Sequence, residues 1–212
     1  MVLFTDEFRA AWVGPDTDYM KVLGHLPFLL RDDLRDVAII ALGTGTTAEA
    51  VCTWTTPQSV QVVEISPAVL SLADHFAADG PVSGARRAAF ASDPRAQVHV
   101  DDGRRFVQQA APQSFDLLTM EPLLPYAPGT AALYSAEFYA AVARSLRDDG
   151  LCVQWVPTHA MPLAMFRTLL ATFAGGFPYC SVWLIEQSTL TYSEIAAKSR
   201  LRRPSNLHSP PI

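Results

Sequence analysis

The run VAIIAL (37–42) ends in Gly43-Thr44-Gly45-Thr46-Thr47-Ala48, and a helix-like stretch begins there. The pattern is G-x-G-x-x-A, the strand–turn–helix form of dinucleotide sites. The loop alone fits a pyrophosphate, another adenosine-bearing ligand, or simply a tight turn. Glu64 follows about twenty residues on, where an acid can accept both hydrogen bonds of a ribose diol. Asp101-Asp102-Gly103 comes next, then Glu121-Pro122, then Pro157-Thr158-His159. A carboxylate at Asp102 can accept from the exocyclic amine of adenine. It can equally cap a helix. A carboxylate at Glu121 can take or hold a proton. Glu64 and Glu121 also admit a plain surface or structural role.

Regular elements must bring these residues together. Apolar runs at 37–42, 60–65, 96–100, 115–120, 151–156 and 180–185 have strand character. Helix candidates lie near 46–55, 67–78, 103–111, 135–147 and 162–174. Ser66-Pro67, Ser135 and Pro162 mark helix starts, and Gly150 marks a stop. Such alternation predicts βαβ units and a mostly parallel sheet with helices on both faces. Ligands of such sheets bind beyond the carboxyl ends of the strands. The residues singled out above all lie just at or past a strand end. Residues 1–36 are expected to form a lead-in of loop, short helix and turn. Residues 37–185 form the predicted catalytic domain. Residues 186–212 are polar and are expected to be a disordered tail.

Composition narrows the class. The 212 residues suffice for one domain with a real core. No apolar run approaches the ~20 residues of a membrane-spanning helix. The start, MVLFTDEFRAAW, lacks the basic and apolar pattern of a secretory signal. Cys52, Cys152 and Cys180 are far apart and sit in apolar segments, so buried, reduced thiols in a cytoplasmic protein are expected. The net charge is −5, and the basic tail leaves the body more acidic still. That balance leans away from nucleic acid and towards a cationic substrate. There is no basic patch with interleaved aromatics and no metal-ligand spacing among the histidines. Neither nucleic acid, membrane nor metal is therefore expected as a partner.

The order LGTGTT, VEIS, DPRAQVHVDDGRRF, FDLLTMEP, ALYSAEFY, DGLCVQW resembles the spermidine synthase (polyamine aminopropyltransferase) family. It is most similar to the divergent bacterial spermidine synthase-like branch, from about Tyr19 to Ile185. The resemblance implies the α/β, Rossmann-like fold of class I S-adenosylmethionine-dependent methyltransferases. It implies transfer of an aminopropyl group from decarboxylated S-adenosylmethionine to an amine such as putrescine, releasing methylthioadenosine. By position, Gly43, Thr44, Gly45 and Thr46 would border the aminopropyl–sulfonium end of that co-substrate. Glu64 would bind the ribose, and Asp102 and Gly103 the adenine. Glu121 would stand where the family keeps its catalytic aspartate. Tyr19, His25 and Gln154 would serve the amine substrate. No metal is implied, and the family's habit of pairing makes a homodimer an expectation.

This sequence departs from the family in several places. The glycine loop lacks an acid. The family's second, amine-gripping aspartate falls in LLPYAP, which has none. Lys21 replaces a polar residue after the family's tyrosine. The N-terminal β-domain and the last strands of the fold are expected to be missing. Two other functions therefore stay open: a methyltransferase using intact S-adenosylmethionine, or a truncated, non-catalytic nucleoside-binding module. A nicotinamide enzyme rests only on the G-x-G-x-x-A match.

Overall fold

In the computed structural model, residues 2–5, 8–12, 18–71, 90, 92–188 and 191–197 are described. A hairpin of β1 (Val2–Thr5) and β2 (Phe8–Trp12) precedes α1 (Asp18–Leu30). Then come β3 (Asp36–Ile40), α2 (Thr46–Cys52), β4 (Ser59–Glu64) and β5 (Ala96–Val100). They are followed by α3 (Gly103–Gln109), β6 (Phe115–Met120), α4 (Ala136–Ser145), β7 (Leu146–Val156) and α5 (Leu163–Gly175). The strands β8 (Ser181–Ser188) and β9 (Thr191–Ala197) close the order.

Seven strands form one sheet in the order β5-β4-β3-β6-β7-β9-β8. The first five run parallel, and β9 lies antiparallel to both β7 and β8. Alternation along β3 divides the core. Val37 and Ile39 join α1 and α2 on one face, with Leu23, Phe28, Val51 and Trp155. Ala38 and Ile40 face α3, α4 and α5, with Val107, Phe138, Val142 and Phe173. Every residue of β6, the strand beside β3, is buried, as a strand covered on both faces requires.

The predicted parallel α/β sheet is present, and three expectations are corrected. Strand character continues past Ile185, through Ser188 and again over 191–197, so the final strands exist. The run TYSEIAA carries Thr, Tyr and Ile, which suit a pleated surface, among polar and small residues. Its ladder to β7 uses backbone groups, which any sequence supplies. The rest of the expected tail lies outside the described residues. The N-terminal hairpin was not expected, and α1 is a full 13-residue helix. Cys180 is exposed, although Cys152 is buried and Cys52 half-buried. The helix predicted over 67–78 is seen at 67–71, and its remainder lies outside the described residues.

Candidate active site

Register places the sites. Ile40 lies beside Val63 on β4 and Met120 on β6, and Met120 lies beside Gln154 on β7. Glu64 lies beside Val100 on β5. The segments after β3, β4, β5 and β6 therefore leave the sheet along one edge. Chain order reverses between β3 and β6, so this edge holds the topological switch point where such sheets bind ligands. A cavity of about 380 Å³ opens there. That lies in the range of roughly 300–1,000 Å³ usual for small-molecule sites.

Five expected residues line this cavity: Gly43, Glu64, Asp102, Gly103 and Glu121. Gly43 turns with φ 52° and Gly45 with φ 81°, the left-handed region that glycine enters without strain. Ala41, also in the lining, is held at φ 74°, where a side chain costs roughly 1–2 kcal/mol. Its N–H is bonded to the Val63 carbonyl at 2.9 Å. The next N–H, of Leu42, reaches Glu64 Oε2 at 3.0 Å, and Ser66 N–H reaches Glu64 Oε1 at 2.9 Å. Two backbone donors thus fix the buried Glu64 carboxylate between the β3 and β4 turns. Each carboxylate oxygen keeps a further lone pair for a ligand hydroxyl.

Asp102 is the N-cap of α3. Its Oδ1 accepts from Arg104 N–H at 2.7 Å. Asp101 is turned to Arg105, at 2.6 Å, and is absent from the cavity wall. Gly103 is required by close approach, since a Cβ there would sit 2.4 Å from Ile40 Cγ2.

Glu121 is half-buried at the end of β6, with its N–H on the Ile40 carbonyl at 3.2 Å. The Tyr19 hydroxyl donates to Glu121 Oε1 at 2.5 Å. Tyr19 is itself buried and stacked on Trp155, with ring centroids 5.1 Å apart. Burial pushes the Glu121 carboxyl up to about 8, against a smaller opposing effect of the Tyr19 hydroxyl. A carboxyl held there titrates near neutral pH, as a general base should.

The other expected residues stand elsewhere. Thr44 and Thr46 share a hydroxyl contact at 2.9 Å, and Thr44 also meets Met20 sulfur. With Thr47, which donates to the Met20 carbonyl at 3.0 Å, they tie the loop to α1 and do not line the cavity. Gly45 caps α2 and is absent from the cavity lining. His25 accepts from Trp54 Nε1 at 3.0 Å and lies outside the cavity lining. Burial, aided by Lys21, lowers its pKa, so it stays neutral as an acceptor. Lys21 is exposed and paired with Asp18 at 2.7 Å. Gln154 is fully buried, and its Oε1 accepts from the Tyr139 hydroxyl at 2.9 Å. It borders a separate void of about 10 Å³, shared with Tyr134 and Tyr139, which suits one water.

Two features were not anticipated from sequence. Arg104 lines the cavity, with its Nε buried and without a hydrogen-bond partner. The helix–turn register of DDGR puts it there: a residue two past the N-cap projects from the first turn of α3. The segment after β6 contributes Pro122, Leu123, Ala127, Pro128 and Leu133, all apolar, with Thr130 as its polar member. The buried Tyr134 hydroxyl braces this segment, donating to the Leu123 carbonyl at 3.0 Å. Among the described residues, no group of three or more His, Cys, Asp or Glu could hold a metal ion.

The model of the spermine/spermidine synthase domain matches residues 17–195, well over half of the chain. The chain belongs to the spermine/spermidine synthase family. Among its relatives is a polyamine aminopropyltransferase of Alkaliphilus oremlandii, 24% identical over 78% of this chain and 56% of the relative. Polyamine aminopropyltransferase 1 of Pseudomonas aeruginosa is 31% identical over 75% of this chain and 53% of the relative. The chain thus spans about half the length of the curated relatives it matches. Among solved structures it is similar to a spermidine synthase in complex with the transition-state analogue AdoDATO. The TM-score is 0.75 at 21% identity, covering 86% of this chain and 60% of that one. Human methyltransferase-like protein 13 in complex with SAH follows with a TM-score of 0.62 at 19% identity, covering 92% and 85%. These structures show the fold, Rossmann-like and shared with class I methyltransferases.

Proposed function

We propose that this member of the family is an aminopropyltransferase. Decarboxylated S-adenosylmethionine would be its co-substrate and an amine its acceptor. The observation that carries this is Glu121, a carboxyl hydrogen-bonded by Tyr19 in a cavity that also holds Glu64 and Asp102. The nucleoside lies along the β3–β5 side, with its ribose on Glu64 and its adenine by Asp102 and Gly103. The sulfonium and the reacting carbon lie towards β6.

The step is a displacement at carbon. The acceptor nitrogen's lone pair forms the new C–N bond to the propyl carbon next to sulfur. The C–S bond breaks, and its pair returns to sulfur, leaving neutral methylthioadenosine. The proton lost by the nitrogen passes to the Glu121 carboxylate. Tyr19 holds that carboxylate in place, and orientation supplies much of the rate. Cationic ligands favour the ionised carboxylate, so a bound donor lowers the Glu121 pKa from about 8.

The test is release of methylthioadenosine from decarboxylated S-adenosylmethionine in the presence of amines. Glu121→Gln should lose turnover by roughly 10²–10⁴-fold, the usual contribution of a positioned base, while still binding methylthioadenosine. An unchanged rate in Glu121→Gln would remove Glu121 as the base. A second reading, methyl transfer from intact S-adenosylmethionine, is favoured by Arg104, a cation in the lining able to pair with a carboxylate. Stabilisation by S-adenosylmethionine but not by its decarboxylated form would decide for it.

A further inference from the structure

Two arginines open α3, and their surroundings differ. Arg105 is exposed and paired with Asp101 at 2.6 Å. Arg104 is half-buried and lines the cavity, and its Nε is buried without a hydrogen-bond partner. Its backbone N–H is fixed on Asp102 Oδ1 at 2.7 Å, so its side chain leaves the helix beside that carboxylate. The acid at the start of α4, Glu137, does not claim it. That exposed carboxyl is lowered chiefly by its own backbone N–H, and Arg104 is the least of the influences on it. A buried N–H donor without an acceptor destabilises the free protein, so an acceptor supplied by a ligand is favoured there.

We infer that Arg104 is a base-reading residue, donating to a ring nitrogen of the adenine whose amine meets Asp102. This rests on the nucleoside placement in the aminopropyl-transfer reading. An ionised carboxylate only accepts hydrogen bonds, so Asp102 answers the exocyclic amine and cannot serve the ring nitrogens. The acceptors that flank the amine are N1 and N7, and each needs a donor. A guanidinium has five N–H donors and no acceptor. Acid and guanidinium are neighbours on the first turn of α3, as amine and ring nitrogen are neighbours on the purine edge. Gly103, pressed on Ile40 with no room for a methyl group, keeps that turn in place. The reacting end lies towards β6 in the same reading, so Arg104 acts on binding and not on the chemical step.

The experiment is calorimetry of the full chain with methylthioadenosine and its 1-deaza and 7-deaza analogues, each of which replaces one ring nitrogen by C–H. One analogue should bind the wild type at least about tenfold more weakly than methylthioadenosine, which corresponds to about 1.4 kcal/mol. Arg104→Met keeps an unbranched chain and removes the donors. It should weaken methylthioadenosine to the same degree and bind that analogue no more weakly than methylthioadenosine. A ligand-free melting temperature near that of the wild type shows that the variant folds. Two analogues that bind the wild type as well as methylthioadenosine overturn the inference without any variant. So does an analogue penalty that persists in Arg104→Met. A loss in Arg104→Met confined to intact S-adenosylmethionine assigns the guanidinium to a carboxylate and overturns the inference too. A wild type that binds no methylthioadenosine removes the nucleoside site itself, and with it the reading on which the inference rests.

Discussion

At the residue scale, Glu121 joins chemistry to stability. Its folded pKa of about 8 lies above the ordinary value of 4.5, so the folded state holds a proton that the unfolded state has released. Stability from this group is therefore full below about pH 4.5 and falls as pH rises towards 8. Glu121→Gln, neutral at every pH, should flatten that slope in melting temperatures taken between pH 5 and 9. A parallel slope in the variant would mean that Glu121 is not buried as a neutral acid. Activity should move the opposite way, rising with pH as the base is freed. The Tyr19 hydroxyl favours the ionised form, so Tyr19→Phe should shift the rising limb of the kcat/KM profile to higher pH. A purely structural Tyr19 would lower activity without moving that limb.

At the element scale, the site depends on how closely α3 approaches β3. Gly103 opens α3 against Ile40, with no room for a methyl group. Gly103→Ala should destabilise by about 1–3 kcal/mol, as overpacking of a filled core does. It should also weaken nucleoside binding, because Asp102 and Arg104 would move with the helix start. Calorimetry with methylthioadenosine would show both. Binding unchanged alongside a lowered melting temperature would separate the packing of α3 from the site. The β3–α2 turn is arranged in a similar way. Thr44, Thr46 and Thr47 spend their hydroxyls on each other and on α1, and of that turn Ala41 and Gly43 meet the cavity.

Over the whole molecule, the candidate site and an ion-pair cluster centred on Asp116 occupy opposite ends of the sheet. At the amino ends of β3 and β6, the buried Asp116 accepts from Arg35 N–H and Asp36 N–H, both at 2.9 Å. It also pairs with Arg147 at 2.8 Å, and Arg147 reaches Asp36 at 2.9 Å. Asp116→Ala would leave these donors without their acceptor. It should cost about 3 kcal/mol or more in denaturant unfolding. Methylthioadenosine affinity measured on the folded protein should be unchanged, since the cavity lies at the carboxyl ends. A loss of affinity would show that the two ends are coupled.

The one-dimensional pattern determined much of this protein. Apolar runs of strand length, alternating with helix-length segments, dictate the parallel sheet, because a strand covered on both faces must be apolar throughout. The sheet's topology then dictates that residues after strand ends meet, which is why Glu64, Asp102 and Glu121 were legible as one set. The polar strand β9 was not legible, because its ladder is made of backbone groups and composition does not report them. The hairpin before α1 went unread as well. Tertiary structure alone decided which way side chains turned. His25 faces Trp54, and Gln154 pairs with Tyr139 beside a void separate from the main cavity. It also decided that Arg104 and the apolar residues after β6 share the cavity with Glu121. Those outcomes depend on contacts between segments distant in sequence, and local spacing carries no record of them.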